Sequence, residues 1–146
     1  GTRQPQWISL ASAIPYHYVP PHISLKVDVE GIDLNADPML EKVFYNLLDN
    51  SIRHGERVTE IRISSCMSGQ DPTVVWEDNG IGIPADEKEK IFERGYGKNT
   101  GLGMFLVREI LSLTGITIQE TGEPGKGVRF EMIVPRGGFR CSRELP

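Results

Sequence analysis

Two amides and a guanidinium occur at helical spacing in the segment NLLDNSIRH, residues 46–54. At about 100° per residue, Asn46, Asn50 and Arg53 cluster on one side of a helix, at the edge of a broad apolar arc. That arc consists of Met39, Leu40, Val43, Phe44, Leu47 and Leu48. Asparagine carbonyl oxygens suit Mg²⁺, and arginine suits phosphate oxygens. The segment therefore predicts a phosphate and magnesium site, and the plainer alternative is a polar rim on an amphipathic helix.

The next informative segment is WEDNGIGIP, residues 76–84. A strand-like run ends in it at the carboxylate of Asp78. Strand alternation places Trp76 and Asp78 on the core side of the sheet. A buried carboxylate needs a hydrogen-bond donor, and the exocyclic amino group of a purine is a suitable one. Gly80 and Gly82 remove side chains that would keep a flat ring away from the backbone. The alternative interpretation is an ordinary Asn-Gly turn.

A second pair of glycines precedes a helix in NTGLGMFLVREI, residues 99–110. Free backbone N–H groups at a helix start attract phosphate, so Gly101 and Gly103 favour a phosphate contact. Glycines that only turn the chain are the alternative. Between the two glycine pairs, Lys98 is placed to reach a phosphate, and Phe92 is a candidate anchor for the intervening loop.

The elements that must position these residues alternate between strands and helices. In chain order we first expect a strand ISLKVDV from residue 23, its hairpin partner GIDLNA and a helix from Asp37-Pro38 to Gly55. Antiparallel strands at 58–67 and 73–78 follow, and then a short helix from Pro84 to about Arg94. The last elements are a helix MFLVREILSLT ended by Gly115 and the strands ITIQETG and VRFEMIVP. The pattern predicts an α+β fold. It is a two-layer α/β sandwich whose mixed, mainly antiparallel sheet is covered on one face by three helices.

Length and charge limit the classes of function. The 146 residues suit one domain, and 16 Lys+Arg against 20 Asp+Glu give a net charge of −4, which argues against nucleic-acid binding. Two distant cysteines, Cys66 and Cys141, favour unpaired thiols. We expect residues 1–22 to be a lead-in from an N-terminal dimerisation and acceptor region, and 23–135 to be the functional domain. Residues 136–146 are expected to be a frayed C-terminal tail.

Taken together, the motifs resemble the ATP-binding catalytic domain of sensor histidine kinases, in the wider group that includes gyrase, Hsp90 and MutL ATPases. NLLDNSIRH resembles the asparagine box, DNGIGIP the first glycine box, IFERGYG the phenylalanine box, TGLGM the second glycine box and GKGVRF the closing glycine motif. The likeness covers roughly residues 23–135. It implies the Bergerat-type form of the sandwich.

The resemblance also implies roles for individual residues. Asn50 would hold Mg²⁺, with Asn46 beside it as a second metal candidate, and Arg53 would complete the catalytic set. Asp78 would accept a hydrogen bond from the adenine amino group, and residues 95–100 would form the ATP lid. The implied nucleotide-binding set is Asn46, Asn50, Arg53, His54, Asp78, Gly80, Gly82, Ile83, Lys98, Thr100, Gly101, Leu102 and Gly103.

Two positions depart from the family pattern. Val128 occupies a position where members commonly carry Thr, which predicts that one side-chain contact near the base is missing. Gly95-Tyr96 replaces the second Phe of many phenylalanine boxes, which leaves the packing of the lid open.

The implied function is transfer of the γ-phosphoryl group of Mg-ATP to a histidine on a separate dimerisation and acceptor domain, with a response regulator downstream. The implied location is the cytoplasm, which includes the case of a cytosolic part of a larger, membrane-anchored sensor. This domain itself is expected to make no contact with the membrane. One alternative is a GHKL-type ATPase, but such enzymes use a Glu at the position of Asn46, and an amide cannot act as a general base. Glu41 falls on another face of the helix. A degenerate nucleotide-binding interaction module is the other alternative, and the intact Asn50 and Asp78 argue against it.

None of the three histidines suits the role of phosphoryl acceptor. His17 lies in YHYVPP, which cannot continue a helix, and His22 follows two prolines. His54 ends the asparagine-box helix. The acceptor histidine is therefore predicted to lie outside this chain.

Overall fold

The computed structural model describes residues 4–96 and 103–141. Within these residues the elements are β1 (Gln6–Ser9), β2 (Ser24–Val27), β3 (Ile32–Ala36), α1 (Leu40–His54), β4 (Glu60–Ser68), β5 (Asp71–Asp78), α2 (Gly103–Ser112), β6 (Thr117–Glu120), β7 (Arg129–Ile133) and β8 (Phe139–Cys141). Short 3₁₀ turns occur at Leu10–Ala13, Tyr16–Tyr18, Ala85–Glu87, Lys90–Phe92 and Arg136–Gly138. In the part of the chain just given, no helix has the length and apolar content needed to cross a bilayer.

The main sheet has five strands in the order β2-β4-β5-β7-β6. Strand β2 pairs parallel with β4, and the other neighbours pair antiparallel. Its inward residues Ile63, Trp76 and Phe130 are adjacent in register and fully buried, and the Phe44 ring of α1 lies 6.3 Å from the Trp76 ring. The α+β sandwich with a mixed, mainly antiparallel sheet is therefore confirmed.

Helix α1 begins and ends close to the predicted residues. The Asp37 carboxylate accepts a hydrogen bond from the Met39 N–H over 2.8 Å in the turn before Leu40, so the helix begins two residues later than the predicted Asp37-Pro38 start, and Gly55 follows the last turn. Helix α2 is followed by Gly115, whose φ of +78° favours glycine. The predicted antiparallel pair β4–β5 is also confirmed.

The predicted hairpin partner of β2 is wrong. The segment GIDLNA forms β3, which belongs to a separate three-stranded sheet in the order β1-β3-β8. After β2 the chain continues along β4, because the Asp28 N–H still donates to the Ile63 carbonyl over 2.8 Å. It then turns at Gly31, whose φ is +80°. Strand β2 thus pairs with β4, and β3 pairs with β1 and β8 in the other sheet.

The short sheet includes residues from both ends of the described chain, outside the expected domain limits of 23 and 135. Residues 6–9 of the expected lead-in pair with β3, and Leu10 directly after them is fully buried. Residues 139–141 of the expected frayed tail pair with the other side of β3. Residues 142–146 lie outside the described residues. Strands of three or four residues are too short for a hydrophobic period to reveal them.

The third predicted helix, from Pro84 to about Arg94, is also wrong. The segment forms the two 3₁₀ turns Ala85–Glu87 and Lys90–Phe92, so the described part of the chain has two α-helices where three were expected. Its first residues are mostly charged, and apolar residues appear only at its end, so no apolar stripe can form along a longer helix. Phe92 is buried against Phe130, with ring centroids 6.3 Å apart, which fits its predicted anchoring role.

Candidate functional site

A cavity of about 550 Å³ lies at the C-terminal end of α1, beside the loop that follows β5. Its lining comprises Asn50, Arg53, His54, Gly55, Glu56, Ile81, Gly82, Ile83, Pro84, Glu87, Ile91, Tyr96 and Val128. Five of these residues, Asn50, Arg53, His54, Gly82 and Ile83, belong to the predicted nucleotide-binding set. The structure therefore brings the end of the asparagine box and the first glycine box to one cavity.

The last turn of α1 supplies the polar side of the cavity. Asn50 and Arg53 are three residues apart and lie on the same face of the helix. The Arg53 Nε donates to both carboxylate oxygens of Asp49, over 2.8 and 3.0 Å, which holds the guanidinium in place. After Gly55, Glu56 adopts a φ of +57°, the one positive value at a non-glycine position among the described residues. The chain thus turns sharply at the rim of the cavity.

The Asp78 carboxylate, at the end of β5, is almost fully buried, as predicted. Its Oδ1 accepts from the Gly80 N–H over 2.9 Å and from the Val128 N–H over 3.1 Å. Its Oδ2 accepts from the Ser51 hydroxyl over 2.7 Å. The protein itself therefore supplies three donors to this carboxylate. Asp78 is not among the residues that line this cavity, although its partner Val128 is; Asp78 lines a smaller pocket of about 160 Å³ with Glu60, Arg62, Glu77 and Asn79.

Ser51 connects Asp78 to a second buried side chain. The Trp76 Nε1–H donates to the Ser51 Oγ over 3.1 Å, and Trp76 has no exposed surface. Sequence reasoning did not identify Ser51 as part of the site. A signal was present, because Ser51 directly follows Asn50 on the helix and Trp76 shares a strand face with Asp78.

The glycines near the cavity allow three backbone segments to approach closely. A Cβ at Gly80 would lie 2.6 Å from the Gly55 carbonyl oxygen, and one at Gly82 would lie 2.9 Å from the Gly127 carbonyl oxygen. Gly127 has a φ of +107°, and its Cβ would lie 1.9 Å from the Asp78 carbonyl oxygen. The end of α1, the loop after β5 and the GKG loop are thus in direct contact. Gly82 also lines the cavity, whereas Gly80 does not.

Asn79 fixes the same loop from its other side. Its Oδ1 accepts from the backbone N–H groups of Thr59 and Glu60 over 2.9 and 3.0 Å, and its Nδ2 donates to the Thr59 hydroxyl over 2.8 Å. These bonds hold the start of β4 against the end of β5. The chain makes a bend at Asn79-Gly80, which these side-chain hydrogen bonds hold, and the next residues Ile81 and Gly82 line the cavity.

Tyr96 and Glu87 form a hydrogen-bonded pair on the opposite wall. The Tyr96 hydroxyl donates to Glu87 Oε1 over 2.6 Å. Burial, reinforced by this hydrogen bond and the nearby negative charge, raises the pKa of Tyr96 to about 12. The phenol is therefore neutral at physiological pH. This residue lies at the position where the sequence departs from the second Phe of the phenylalanine box.

Asn46 lies in a different cavity from Asn50. Its lining includes Ser12, Ala13, Ile14, Pro15, Tyr16, His17, Tyr18, Glu41, Lys42 and Tyr45, and its volume is also about 550 Å³. The Asn46 Nδ2 is buried and has no hydrogen-bond partner among the described residues. Residues 10–18 pack against α1 one turn before Asn50. The structure therefore does not place the two asparagines around one cavity.

The remaining predicted phosphate contacts lie on the segment before α2. Gly103 is the first residue of that helix, and a Cβ there would meet no atom of the described residues within 4 Å, its own helix backbone aside. Lys98, Thr100, Gly101 and Leu102 lie outside the described residues, as does most of the predicted lid at 95–100.

Comparisons with known proteins give consistent results. The family model described as histidine kinase-, DNA gyrase B-, and HSP90-like ATPase matches residues 35–138. The alginate biosynthesis sensor protein KinB of Pseudomonas aeruginosa is 38% identical over 101 residues, which are 66% of this chain and 17% of that protein. The sensor protein KdpD of Escherichia coli is 31% identical over 107 residues, 68% of this chain and 12% of that protein.

A solved structure extends the likeness to three dimensions. The catalytic domain of the histidine kinase ThkA superposes with a TM-score of 0.72 at 28% identity, covering 90% of this chain and 97% of that domain. This chain thus matches nearly the whole of an isolated catalytic domain, but less than a fifth of the length of KinB and KdpD.

Proposed function

This chain belongs to the family of histidine kinase-, DNA gyrase B- and HSP90-like ATPases, and we propose that it binds Mg-ATP and donates the γ-phosphoryl group to a histidine of a separate domain. It would be the catalytic part of a two-component sensor histidine kinase. The observation that carries this proposal is the cavity lined by Asn50, Arg53 and His54, with the buried Asp78 bonded to Ser51, the residue after Asn50, and to the backbone of the lining residue Val128.

The adenine end of the nucleotide is assigned to Asp78. Its carboxylate accepts three hydrogen bonds from the protein and has acceptor capacity left for one more donor. The exocyclic amino group of adenine is such a donor. Ile81 and Val128 line the adjoining cavity and offer apolar contact to a flat ring. The Val128 side chain has no hydroxyl, so its contribution to this polar network comes from its backbone.

The phosphate end is assigned to the last turn of α1. The Arg53 guanidinium offers donors to phosphate oxygens beyond its bond to Asp49. His54 lines the same wall. Asn50 fits Mg²⁺, because its amide oxygen is a hard ligand and Mg²⁺ in nucleotide sites takes few protein ligands beside phosphates and waters. Bound Mg²⁺ supplies charge neutralisation at the phosphates. Asn46 is the weaker metal candidate because it lines the other cavity.

Transfer to a histidine is favoured over hydrolysis of ATP. A hydrolase needs a base that takes a proton from water, and the amide at position 46 cannot act as one. Glu41 lines the cavity of Asn46, away from Asn50. In transfer, a nitrogen of the acceptor histidine attacks the γ-phosphorus while the bond from that phosphorus to the leaving ADP oxygen breaks. The chain then has to position ATP, and the nucleophile comes from the acceptor domain. A response regulator would receive the phosphoryl group next.

Incubation of this chain with Mg-ATP labelled at the γ-phosphate should give no acid-labile phosphoprotein. His17, His22 and His54 do not suit the acceptor role, and transfer requires nucleophile and γ-phosphate in line. Addition of an acceptor-hairpin domain from the same sensor should place acid-labile label on that domain's histidine. Label on the isolated chain, or rapid release of inorganic phosphate, would contradict the proposed division of labour.

Asn50→Ala and Arg53→Ala should affect different parts of nucleotide binding. Asn50→Ala should weaken ATP binding by about tenfold with Mg²⁺ present and little without it, because the lost oxygen is the metal ligand. Arg53→Ala should weaken ATP by about tenfold and adenosine by less than twofold, because arginine contacts phosphate.

Calorimetric titration with ATP and adenosine, each with and without Mg²⁺, measures both effects. Arg140→Ala is the matched control, because Arg140 is an exposed arginine on β8 whose Nε donates to a carboxylate, that of Asp33, as the Arg53 Nε does to Asp49. Equal loss of adenosine and ATP in both variants would show that the end of α1 is structural.

A further inference from the structure

Three buried side chains form a hydrogen-bonded series next to residues that line the proposed nucleotide cavity. Trp76 is fully buried, Ser51 is 1% exposed and Asp78 is 7% exposed. The Trp76 Nε1–H donates to the Ser51 Oγ over 3.1 Å, and the Ser51 hydroxyl donates to Asp78 Oδ2 over 2.7 Å. Each member comes from the immediate surroundings of the cavity, since Ser51 follows Asn50 and Asp78 binds the Val128 backbone.

The direction of every proton in this series is determined. An indole N–H can only donate, so the Ser51 oxygen must be the acceptor of that bond. A serine hydroxyl normally rotates to suit its neighbours. Here its one proton is left for Asp78, and the carboxylate must be the acceptor. The hydrogen bond from Trp76 thus fixes the orientation of the Ser51 hydroxyl.

The hydrogen bonds of the Asp78 carboxylate occupy three of its acceptor positions. Its Oδ1 accepts from two backbone N–H groups, those of Gly80 and Val128, and its Oδ2 accepts from Ser51. A carboxylate has about four acceptor positions, so one position on Oδ2 is open. Because all three partners are fixed donors, the carboxylate cannot turn without breaking one of these bonds in a buried environment.

We propose that Ser51, held by Trp76, is a specificity-determining positioning residue that leaves Asp78 with one open acceptor position of fixed direction. This position selects a purine with an amino group at C6. A purine with a carbonyl at C6 presents its nearest donor at N1, one atom away, and the fixed carboxylate cannot follow it. The inference rests on the proposed function, because it assigns the selectivity of the ATP site.

The test compares Mg-ATP with Mg-ITP, whose base carries the carbonyl at C6. Calorimetric titration of the wild type should show preference for ATP. In Ser51→Ala the ratio of the two affinities should fall about tenfold, the effect expected when a hydrogen bond to a charged group is lost. Ser51→Thr keeps the hydroxyl and should restore most of the ratio. Ser112→Ala is the matched control, because the hydroxyl of this exposed helical serine donates to the Glu109 carbonyl in its own helix.

Ser51→Cys keeps the proposal testable if the alanine variant folds poorly. Cysteine has nearly the shape of serine but is a weak donor and acceptor, so this variant should fold and still lose the preference for ATP. The Trp76 indole proton gives an independent readout by NMR. Mg-ATP should shift its resonance in the wild type and shift it much less in Ser51→Cys. Trp7→Phe assigns the resonance, because Trp7 and Trp76 are the two tryptophans.

The outcomes separate this inference from the proposed function. If the wild type binds ATP but Ser51→Ala and Ser51→Cys keep the ATP to ITP ratio within twofold, the positioning role is wrong and the nucleotide site stands. An unmoved Trp76 indole resonance in an ATP-bound wild type would have the same meaning. If the wild type binds no ATP, the proposed function fails and this inference fails with it.

Discussion

Asp78→Asn should abolish ATP binding while leaving the domain folded. The amide oxygen of asparagine can still accept from the Gly80 and Val128 N–H groups, so the loop after β5 keeps its anchors. The amide nitrogen replaces Oδ2 and presents a donor where both the Ser51 hydroxyl and the proposed adenine amino group require an acceptor. Two opposed donors in a buried site should weaken ATP binding at least about 100-fold, or about 3 kcal/mol. Calorimetric titration with Mg-ATP measures the loss, and circular dichroism checks the fold.

Asp78→Ala is the informative comparison for stability. It leaves the Ser51 hydroxyl and two backbone N–H groups without their acceptor, each at a cost of about 1–3 kcal/mol. Its melting temperature should therefore lie well below that of Asp78→Asn. Retention of ATP affinity within threefold in a folded Asp78→Asn protein would exclude Asp78 as the adenine contact.

Gly127→Ala should cause the largest loss of stability of any single methyl addition near the site. The new Cβ would lie 1.9 Å from the Asp78 carbonyl oxygen, a distance at which the backbone must move, and φ is +107°. Strain and steric overlap together should lower the free energy of unfolding by roughly 3 kcal/mol or more. The displaced strand end would also carry the Asp78 carboxylate away from Ser51, so ATP affinity should fall with stability.

Gly125→Ala is the matched control for this substitution. Gly125 belongs to the same loop and has a φ of +88°, but within residues 4–96 and 103–141 a Cβ there would meet nothing within 4 Å. Gly125→Ala should lower the free energy of unfolding by only roughly 1 kcal/mol, because alanine disfavours a positive φ. Denaturant titration of both variants separates overlap from backbone strain. Equal loss in the two proteins would mean that the close contact with Asp78 relaxes at no cost.

Sequence patterns predicted the parts of this fold that depend on local periodicity. The apolar stripe of α1, the Asp37 turn that precedes it and the alternation of Phe130 and Met132 in β7 each involve residues close in the chain. The partner of β3 was predicted wrongly, because pairing depends on which edges are free in the assembled sheets. A hairpin is the simplest partner for a strand, but here β2 is paired with β4.

In the candidate site, too, the sequence revealed the local features and missed the contacts between distant segments. Asn50, Arg53 and Asp78 were identified because their chemistry is unusual at the edge of an apolar pattern. The separation of Asn46 from Asn50 was not predicted, because it depends on residues 10–18, which pack against α1 from a distant part of the chain. Ser51 was missed for a similar reason, since its partners Trp76 and Asp78 are 25 and 27 residues away.

The three-stranded sheet has a mechanical consequence. Strands β1 and β8 both run antiparallel to β3 and lie on opposite sides of it, with Gln6 opposite Ala36 and Cys141 opposite Ile32. Tension applied between these two strand ends would therefore act along β3. It would load the two rows of backbone hydrogen bonds in shear, so that several must rupture together. This small sheet would carry such a load before it reached α1, and the nucleotide cavity would be shielded from pulling on either side.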